Sequence, residues 1–357
     1  MEINAIFWKG KRVLITGHTG FKGGWLSLWL QYLGANVVGY SLEPATKPSL
    51  YKEALVYENM VSIHDDIRNI EKLKSIFTKY KPEIVFHLAA QSLVLPSYEN
   101  PSETYEVNVM GTLNVLEAIR DCDSVKAGVF ITSDKCYDNK EWVWSYREND
   151  SMGGFDPYSS SKGCAELLIA SYRSSFFSQS KLNQNNVAIA SARAGNVIGG
   201  GDWAKNRLIP DLMRAFSEGK EAVIRSPNAI RPWQHVLEPL SGYLILAENL
   251  VGNNHQKFSD SWNFGPNQGD AKPVKWIVNK IVERWLEEAK WKIDVDEYPH
   301  EANYLKLDCS KAMSELNWSP KWTLDETIIR VVDWYSVYNK KKNVKELCLE
   351  QIREYMS

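Results

Sequence analysis

Lys11 to Gly23 reads K-R-V-L-I-T-G-H-T-G-F-K-G. The first part, Lys11 to Thr16, is an apolar, largely β-branched run, the pattern of a buried strand. It stops on Gly17-x-x-Gly20-x-x-Gly23. An apolar stretch from Trp25 to Leu33 follows, ended by Gly34, and a second apolar run covers Asn36 to Tyr40. Strand, glycine turn, helix, strand is the unit that sets a pyrophosphate on a helix N-terminus. The glycines permit the tight turn and let the backbone approach closely. In such units a carboxylate usually ends the second strand and holds a ribose. Here Tyr40-Ser41-Leu42-Glu43 puts Ser41 in that place, so loose dinucleotide binding is expected.

The alternation continues outward. Val61 to Ile63 reads as a short strand ending at His64-Asp65-Asp66, and Ile70 to Tyr80 as an amphipathic helix. Ile84 to Leu88 is a strand closing on Ala89-Ala90, small residues beside which a cofactor fits. Pro101 to Asp121 reads as one long helix, and Val187 to Ala192 as a further strand. This rhythm predicts an α/β fold, a Rossmann-type doubly wound parallel sheet. Beyond Gly199 the character changes. Leu208 to Glu218 reads as a helix, Ala222 to Arg225 as a short strand, and Arg231 to Val236 as a basic, aromatic loop. Leu237 to Leu250 reads as a helix returning to the sheet, followed by a strand at Trp262 to Phe264. From Pro273 come helices, a short strand near Ile293 and a helical tail. The expected division is a dinucleotide-binding domain of residues 1–193, with 237–265 returning to it. Residues 194–236 and 266–357 form a smaller α/β C-terminal substrate lobe.

A second stretch carries chemistry. Val129 to Tyr137 reads V-F-I-T-S-D-K-C-Y, a buried run that breaks into Ser133, Asp134 and Lys135. Such a strand delivers side chains to the crevice at its carboxyl end. Asp156-Pro157 then opens a helix on which Tyr158 and Lys162 share a face. A free phenol titrates near ~10, and each unit of depression needs ~1.4 kcal/mol of preference for the phenolate. A nearby ammonium in a dry site can supply it. A lone Tyr-x-x-x-Lys is weak evidence; here it sits between a glycine-rich turn and a hydroxyl–acid–base strand end. Asn196, Arg207 and Arg231 are candidate donors to a diphosphate, since arginine offers a matching fork. Trp203 and Trp233 suit either stacking or core packing, and His18, His87 and His235 read as hydrogen-bonding structural residues.

Composition narrows the classes. With 357 residues, 44% hydrophobic and 24% charged, the chain suits a soluble globular protein. A net charge of −2 gives no reason to expect nucleic acid or an anionic membrane as partner. Five cysteines with no Cys-x-x-Cys fit neither a disulfide framework nor a zinc site, so no metal and a cytoplasmic setting are expected. Met1 to Gly10 lack a signal-peptide pattern. Gly23 to Leu33, interrupted by Ser27 and Gln31, is too short to span a bilayer.

Taken together, Gly17-x-x-Gly20-x-x-Gly23, His87-Leu88-Ala89-Ala90, Asn108, Tyr158-x-x-x-Lys162 and Arg193-x-x-Asn196 resemble the extended short-chain dehydrogenase/reductases that modify nucleotide sugars. The resemblance covers nearly the whole chain and implies NAD as cofactor. It implies cofactor contacts from Gly17, Thr19, Gly20, Phe21, Lys22 and Gly23. Further contacts fall on Ser41, Asp66, Ile67, Leu88, Ala89 and Ala90, and on Asn108, Thr132, Tyr158, Lys162 and Arg193.

Thr132-Ser133-Asp134-Lys135 sets the branch. Sugar 4-epimerases carry small, uncharged residues after the hydroxyl, whereas 4,6-dehydratases carry an ionisable pair, usually Asp-Glu. The Asp-Lys here, with Arg193 to Trp203, Arg231 to Val236 and His300 to Asp308, is similar to the CDP-glucose branch of the dehydratases. That implies CDP-glucose as substrate, held by Gln91, Ser133, Asn196, Arg207 and Leu208 together with Arg231, Trp233, Glu301 and Tyr304. Ser133, Asp134, Lys135, Tyr158 and Lys162 are the expected catalytic set. Lys135 reads either as the C5 base or as an electrostatic stabiliser, and a plain Asp134–Lys135 ion pair is the non-catalytic alternative. A 4-epimerase, a 4,6-dehydratase for another NDP-hexose and a non-catalytic dinucleotide-binding protein are the competing functions. Relatives pair helices such as Pro101 to Asp121 and Tyr158 to Ser178 across a dimer axis, which implies a homodimer or homotetramer.

Overall fold

The computed structural model describes residues 2–178, 186–285, 288–294 and 304–357. Its centre is a seven-stranded sheet built from β1 (Arg12–Thr16), β2 (Asn36–Ser41), β3 (Val61–His64), β4 (Ile84–His87), β5 (Ala127–Ile131), β6 (Ala188–Arg193) and, late in the chain, Ser261–Asn263. Every pairing is parallel. β4 and β5 are buried at every residue, which is why they read as unbroken apolar runs rather than alternating ones. β1 and β4 are neighbours at the centre, with β2 and β3 on one side and β5, β6 and Ser261–Asn263 on the other. The order therefore reverses between β1 and β4, and such a switch point leaves a crevice at the strands' carboxyl ends.

Helices cover both faces. On one, Trp25 and Trp29 of the helix Phe21–Tyr32 join Leu240, Tyr243 and Leu244 of the helix Leu237–Val251. The same core runs without a break into the C-terminal helices through Ile328, Val331 and Ile352. On the other face, Leu73 and Phe77 of Ile70–Tyr80, Leu116 and Ile119 of Gly111–Arg120, and Ile169 of Pro157–Ser175 make a second core.

Three segments differ from the sequence reading. The helix after the glycine turn starts at Phe21, ahead of Trp25, because that turn passes straight into helical backbone. Pro101 to Asp121 is helical but contains a π-type turn at Glu106–Met110, which holds Asn108. Arg231 to Val236 is not a plain loop. After β7 (Val197–Ile198) and β8 (Ala222–Ile224), it forms β9 (Ile230–Pro232) and β10 (Gln234–His235). Ser261–Asn263 is then β11, followed by β12 (Ala271–Pro273) and β13 (Trp291–Ile293). β9 pairs with β12, β10 with β7 and β13 with β8. No helix among the described residues is long and apolar enough to cross a membrane.

Candidate active site

The glycine turn is shaped by close approach. Gly17 has φ +79, donates its N–H to Tyr40 O at 2.9 Å and accepts from Gly20 N at 3.1 Å. A Cβ there would lie 2.7 Å from Ala89 N, and one on Gly23 would lie 2.1 Å from Gly17 O. Both positions exclude any side chain; Gly20 does not, since its Cβ would meet only Gly17 O at 3.4 Å. The helix Phe21–Tyr32 opens without a side-chain cap. Its first N–H groups thus make the cradle that a pyrophosphate needs, and the residues fit a dinucleotide. Thr19 Oγ1 contacts Ser41 Oγ at 2.9 Å and donates to Leu42 O at 2.8 Å, so Ser41 does stand at the end of β2 beside the turn. Asp66 is gripped by Arg68, whose guanidinium holds its carboxyl below the usual range. Ile67 is buried and fills the space left by Gly111.

At the carboxyl ends of the central strands lies a cleft of about 550 Å³. Ser133, Asp134, Lys135, Tyr158 and Lys162 all line it. Ser133 follows the end of β5 and caps a short turn at Asp134–Cys136, its Oγ accepting from Lys135 N at 3.2 Å and donating to Asp134 Oδ1 at 3.0 Å. Asp134 is 1% exposed. Burial raises its carboxyl, opposed by Lys135, Ser133, Arg231 and Lys22. Gly195 makes room for it, because a Cβ there would sit 1.8 Å from Asp134 Oδ2. Asn196, with φ +46, brings its Nδ2 to 3.4 Å from the same oxygen.

Asp156 starts the helix of Tyr158 and Lys162 by accepting from Ser159 N at 2.9 Å, with Pro157 in the first turn. Tyr158 N–H donates to Ser97 Oγ at 3.1 Å, fixing the entry. The Tyr158 phenol is pushed up to about 12, by burial first, while its hydrogen bond to Ser133 and the charge of Arg207 pull it down. Lys162, expected to back the phenol from one turn further along the helix, lines the same cleft. Its ammonium is itself pulled down to about 8 by burial, and its Nζ lies 3.5 Å from Ile131 O.

Of the expected substrate residues, Asn196, Arg207, Leu208, Arg231 and Trp233 line this cleft with Ser133. Arg207 bridges Asp202 and Ser92, both at 3.0 Å. Gln91 and Tyr304 do not line it. The Gln91 side chain is spent on Leu93 and Thr104, and Asn108 in turn ties Gln91 to Ser161. Tyr304 pairs with Ile230 and accepts from Asn139 Nδ2 through its carbonyl. Glu301 lies outside the described residues. Of the expected cofactor residues, Phe21, Lys22, Leu88, Ala90 and Thr132 reach the cleft. Arg193 does not: its guanidinium binds Glu166, Tyr137 Oη and Glu148 O in the interior. Trp203 packs against Trp334, Tyr335 and Tyr338 as core.

Lys22 has a larger place than the sequence suggested. Its pKa is lowered to about 7 by burial and by the charges of Arg207 and Lys162, so it faces the catalytic centre as well as the turn. Gly195 was missed, although it stands in the quoted Arg193-x-x-Asn196; its need arises from Asp134, on the turn after β5. His18 bonds Ser62, and His87 bonds Thr16 and Thr112; burial lowers both rings to about 3.

The family model described as GDP-mannose 4,6 dehydratase matches residues 14–331. The CDP-glucose 4,6-dehydratase of Salmonella typhimurium is 54% identical over 355 residues, 99% of each chain. Among solved structures, an epimerase from Methanothermobacter thermautotrophicus superposes with a TM-score of 0.79 at 24% identity, covering 98% of this chain and 96% of its own. A dTDP-glucose 4,6-dehydratase from Bacillus anthracis, in complex with NAD, gives 0.73 at 21% identity, covering 95% of this chain and 100% of its own. At these identities the two structures speak for the fold alone.

Proposed function

Because this chain belongs to the GDP-mannose 4,6-dehydratase family of extended short-chain dehydrogenase/reductases, we propose that it is an NAD-dependent hydro-lyase. It converts CDP-D-glucose to CDP-4-keto-6-deoxy-D-glucose, the chemistry of deoxysugar synthesis for surface polysaccharide such as lipopolysaccharide O-antigen. The observation that carries this reading is the 54% identity, over 99% of both chains, to a CDP-glucose 4,6-dehydratase. The buried Asp134 beside Ser133 and Tyr158 supports dehydration over epimerisation.

NAD, held at the Gly17–Gly23 turn, would supply the acceptor for the C4 hydride and its donor at C6. The chain's own groups do the rest. Ser133 hydrogen-bonds the sugar O4 and Tyr158 takes its proton. The resulting 4-ketone acidifies C5–H. Lys135 removes that proton or, as an ammonium, steadies the enolate. Asp134, whose carboxyl burial raises, gives its proton to the departing O6. Water leaves, the hydride arrives at C6, and C5 regains a proton, so no net oxidation occurs. Arg207, Arg231 and Asn196 hold the nucleotide diphosphate, with Trp233 and Leu208 on the cleft wall. Residues 1–193 with 237–265 act as the cofactor domain and the remainder as the substrate lobe. The exposed Met110 and Leu167, at 50% and 62%, suit a homodimer or homotetramer face on those helices, and the setting is cytoplasmic. Incubating the protein and NAD with CDP-, UDP-, GDP- and dTDP-glucose tests the reading. The 4-keto product should form fastest from CDP-glucose, and an equal rate with all four would remove the CDP assignment.

Gly195→Ala should act through Asp134. The added methyl occupies the place of the carboxylate, so water elimination should slow by about 10²-fold while C4 oxidation continues. Product formation unchanged from wild type would show that the carboxylate moves aside freely. Ser41→Asp should restore the ribose acceptor of the second strand. The dissociation constant for NAD should fall about tenfold, as a charged hydrogen bond allows. An unchanged constant by calorimetry would mean that Ser41 does not face the ribose.

A further inference from the structure

One buried carboxylate takes no part in the chemistry above. Glu166 lies one turn beyond Lys162 on the helix Pro157–Ser175 and is 3% exposed. Thr132 Oγ1 donates to its Oε1 at 2.5 Å, while Ser191 Oγ and Arg193 Nη2 donate to its Oε2 at 2.8 and 2.7 Å. These donors stand where the sheet delivers the active site. Thr132 directly precedes Ser133 and Asp134, and its N–H bonds Ala192 O at 3.0 Å. Arg193 leads into Gly195 and Asn196, and its other nitrogen binds Tyr137 Oη at 2.8 Å, just after the Asp134–Cys136 turn. Tyr137 in turn donates to Asn263 Oδ1 of β11 at 2.7 Å. A single carboxylate therefore joins the helix of Tyr158 and Lys162 to both strand ends that shape the cleft. A displacement of about 1 Å in such a constellation can slow a reaction about 10²-fold.

We propose that Glu166 is a positioning residue for the dehydration, bolting the Tyr158–Lys162 helix to the strand ends of Ser133 and Asp134 and placing a fixed negative charge one turn from Lys162. The inference rests on the dehydratase reading only for the reaction used as readout. Glu166 is held ionised: burial pushes its carboxyl up, but the Arg193 charge and the three hydrogen bonds outweigh burial and keep it below the usual range. The ionisable groups facing it are Arg193 from β6, Lys162 and Arg173 from its own helix, and Cys136 from the turn after β5. The Cys136 thiol is kept neutral by burial. Of these groups only Lys162 lines the cleft, and Glu166 is first among those opposing its loss of charge.

The test follows Lys162 directly, by nuclear magnetic resonance titration of labelled lysine side chains in the purified protein, beside stopped-flow measurement of C4 oxidation. Glu166→Gln should lower the Lys162 titration by about one pH unit. It should move the alkaline limb of the oxidation rate down equally and slow that rate about 10²-fold. Glu166→Asp should restore the titration and most of the rate. An unmoved Lys162 titration and alkaline limb in Glu166→Gln would overturn the proposal, as would equal behaviour of the Asp and Gln variants. If Glu166→Gln does not fold, Thr132→Val carries the test, since it removes one hydrogen bond and keeps the ion pair with Arg193. It should slow oxidation about tenfold with the Lys162 titration unchanged, and a wild-type rate would overturn the proposal. Should wild-type protein leave CDP-glucose untouched, the dehydratase reading fails while the Lys162 titration still decides this one.

Discussion

Tyr158→Phe is expected to abolish turnover of CDP-glucose and leave binding of the nucleotide sugar nearly intact. The substitution removes one oxygen from a side chain that is 8% exposed and lines the cleft. The ring still fills its place, and the donors to the diphosphate are untouched. What goes is the group that takes the O4 proton, worth about 10²–10⁴-fold or more in rate. The phenol needs help to do this, since burial outweighs its neighbours and leaves it pushed up to about 12. Ser133 and Arg207 already pull it down in the free protein, so Ser133 prepares the base as well as positioning O4. The kcat/KM of the wild type should fall as the pH rises past about 8, where Lys162 loses its proton. Raised KM with unchanged kcat in Tyr158→Phe would show that the ring packs and does no chemistry.

Asp134→Asn is expected to separate the two halves of the reaction. Oxidation at C4 uses Tyr158, Lys162 and Ser133; elimination needs an acid at O6. Asparagine keeps the size of aspartate and can still accept from Ser133 Oγ, now 3.0 Å from Asp134 Oδ1. It cannot deliver a proton. Mixing the variant with CDP-glucose should therefore still produce reduced-nicotinamide absorbance, while release of 4-keto-6-deoxy product falls by about 10²-fold or more. Lys135→Met should stall at the same stage and slow exchange of the C5 proton with solvent deuterium. Wild-type product release from both variants would make the two residues a structural ion pair.

The central architecture was legible because its signals are local. β1, the Gly17–Gly23 turn and β2 sit together in the chain, and a parallel strand buried on both faces must be apolar throughout. That five candidate side chains meet at one cleft was legible for the same reason, since Ser133, Asp134 and Lys135 follow one strand and Tyr158 and Lys162 share one helix face. What escaped depends on partners distant in sequence. β9 and β10 are three and two residues long, and pairing with β12 and β7 rather than their own propensity makes them strands. Arg193 ends β6 as expected, yet nothing local says that its guanidinium turns inward to Glu166. Gly195 looks like one glycine among many until Asp134 is placed against it. Gln91 reads as a polar residue at a cleft, and only the fold shows its amide closing the turn to Leu93.

The proposed reaction moves one hydride from C4 to C6 of the same sugar, with loss of water between. CDP-glucose carrying deuterium at C4, incubated with the protein and NAD, tests this directly. The account predicts a product lighter by one water, with the deuterium at C6 and C4 present as a ketone. Deuterium retained at C4 of a sugar of unchanged mass would contradict it and leave this site that of an epimerase.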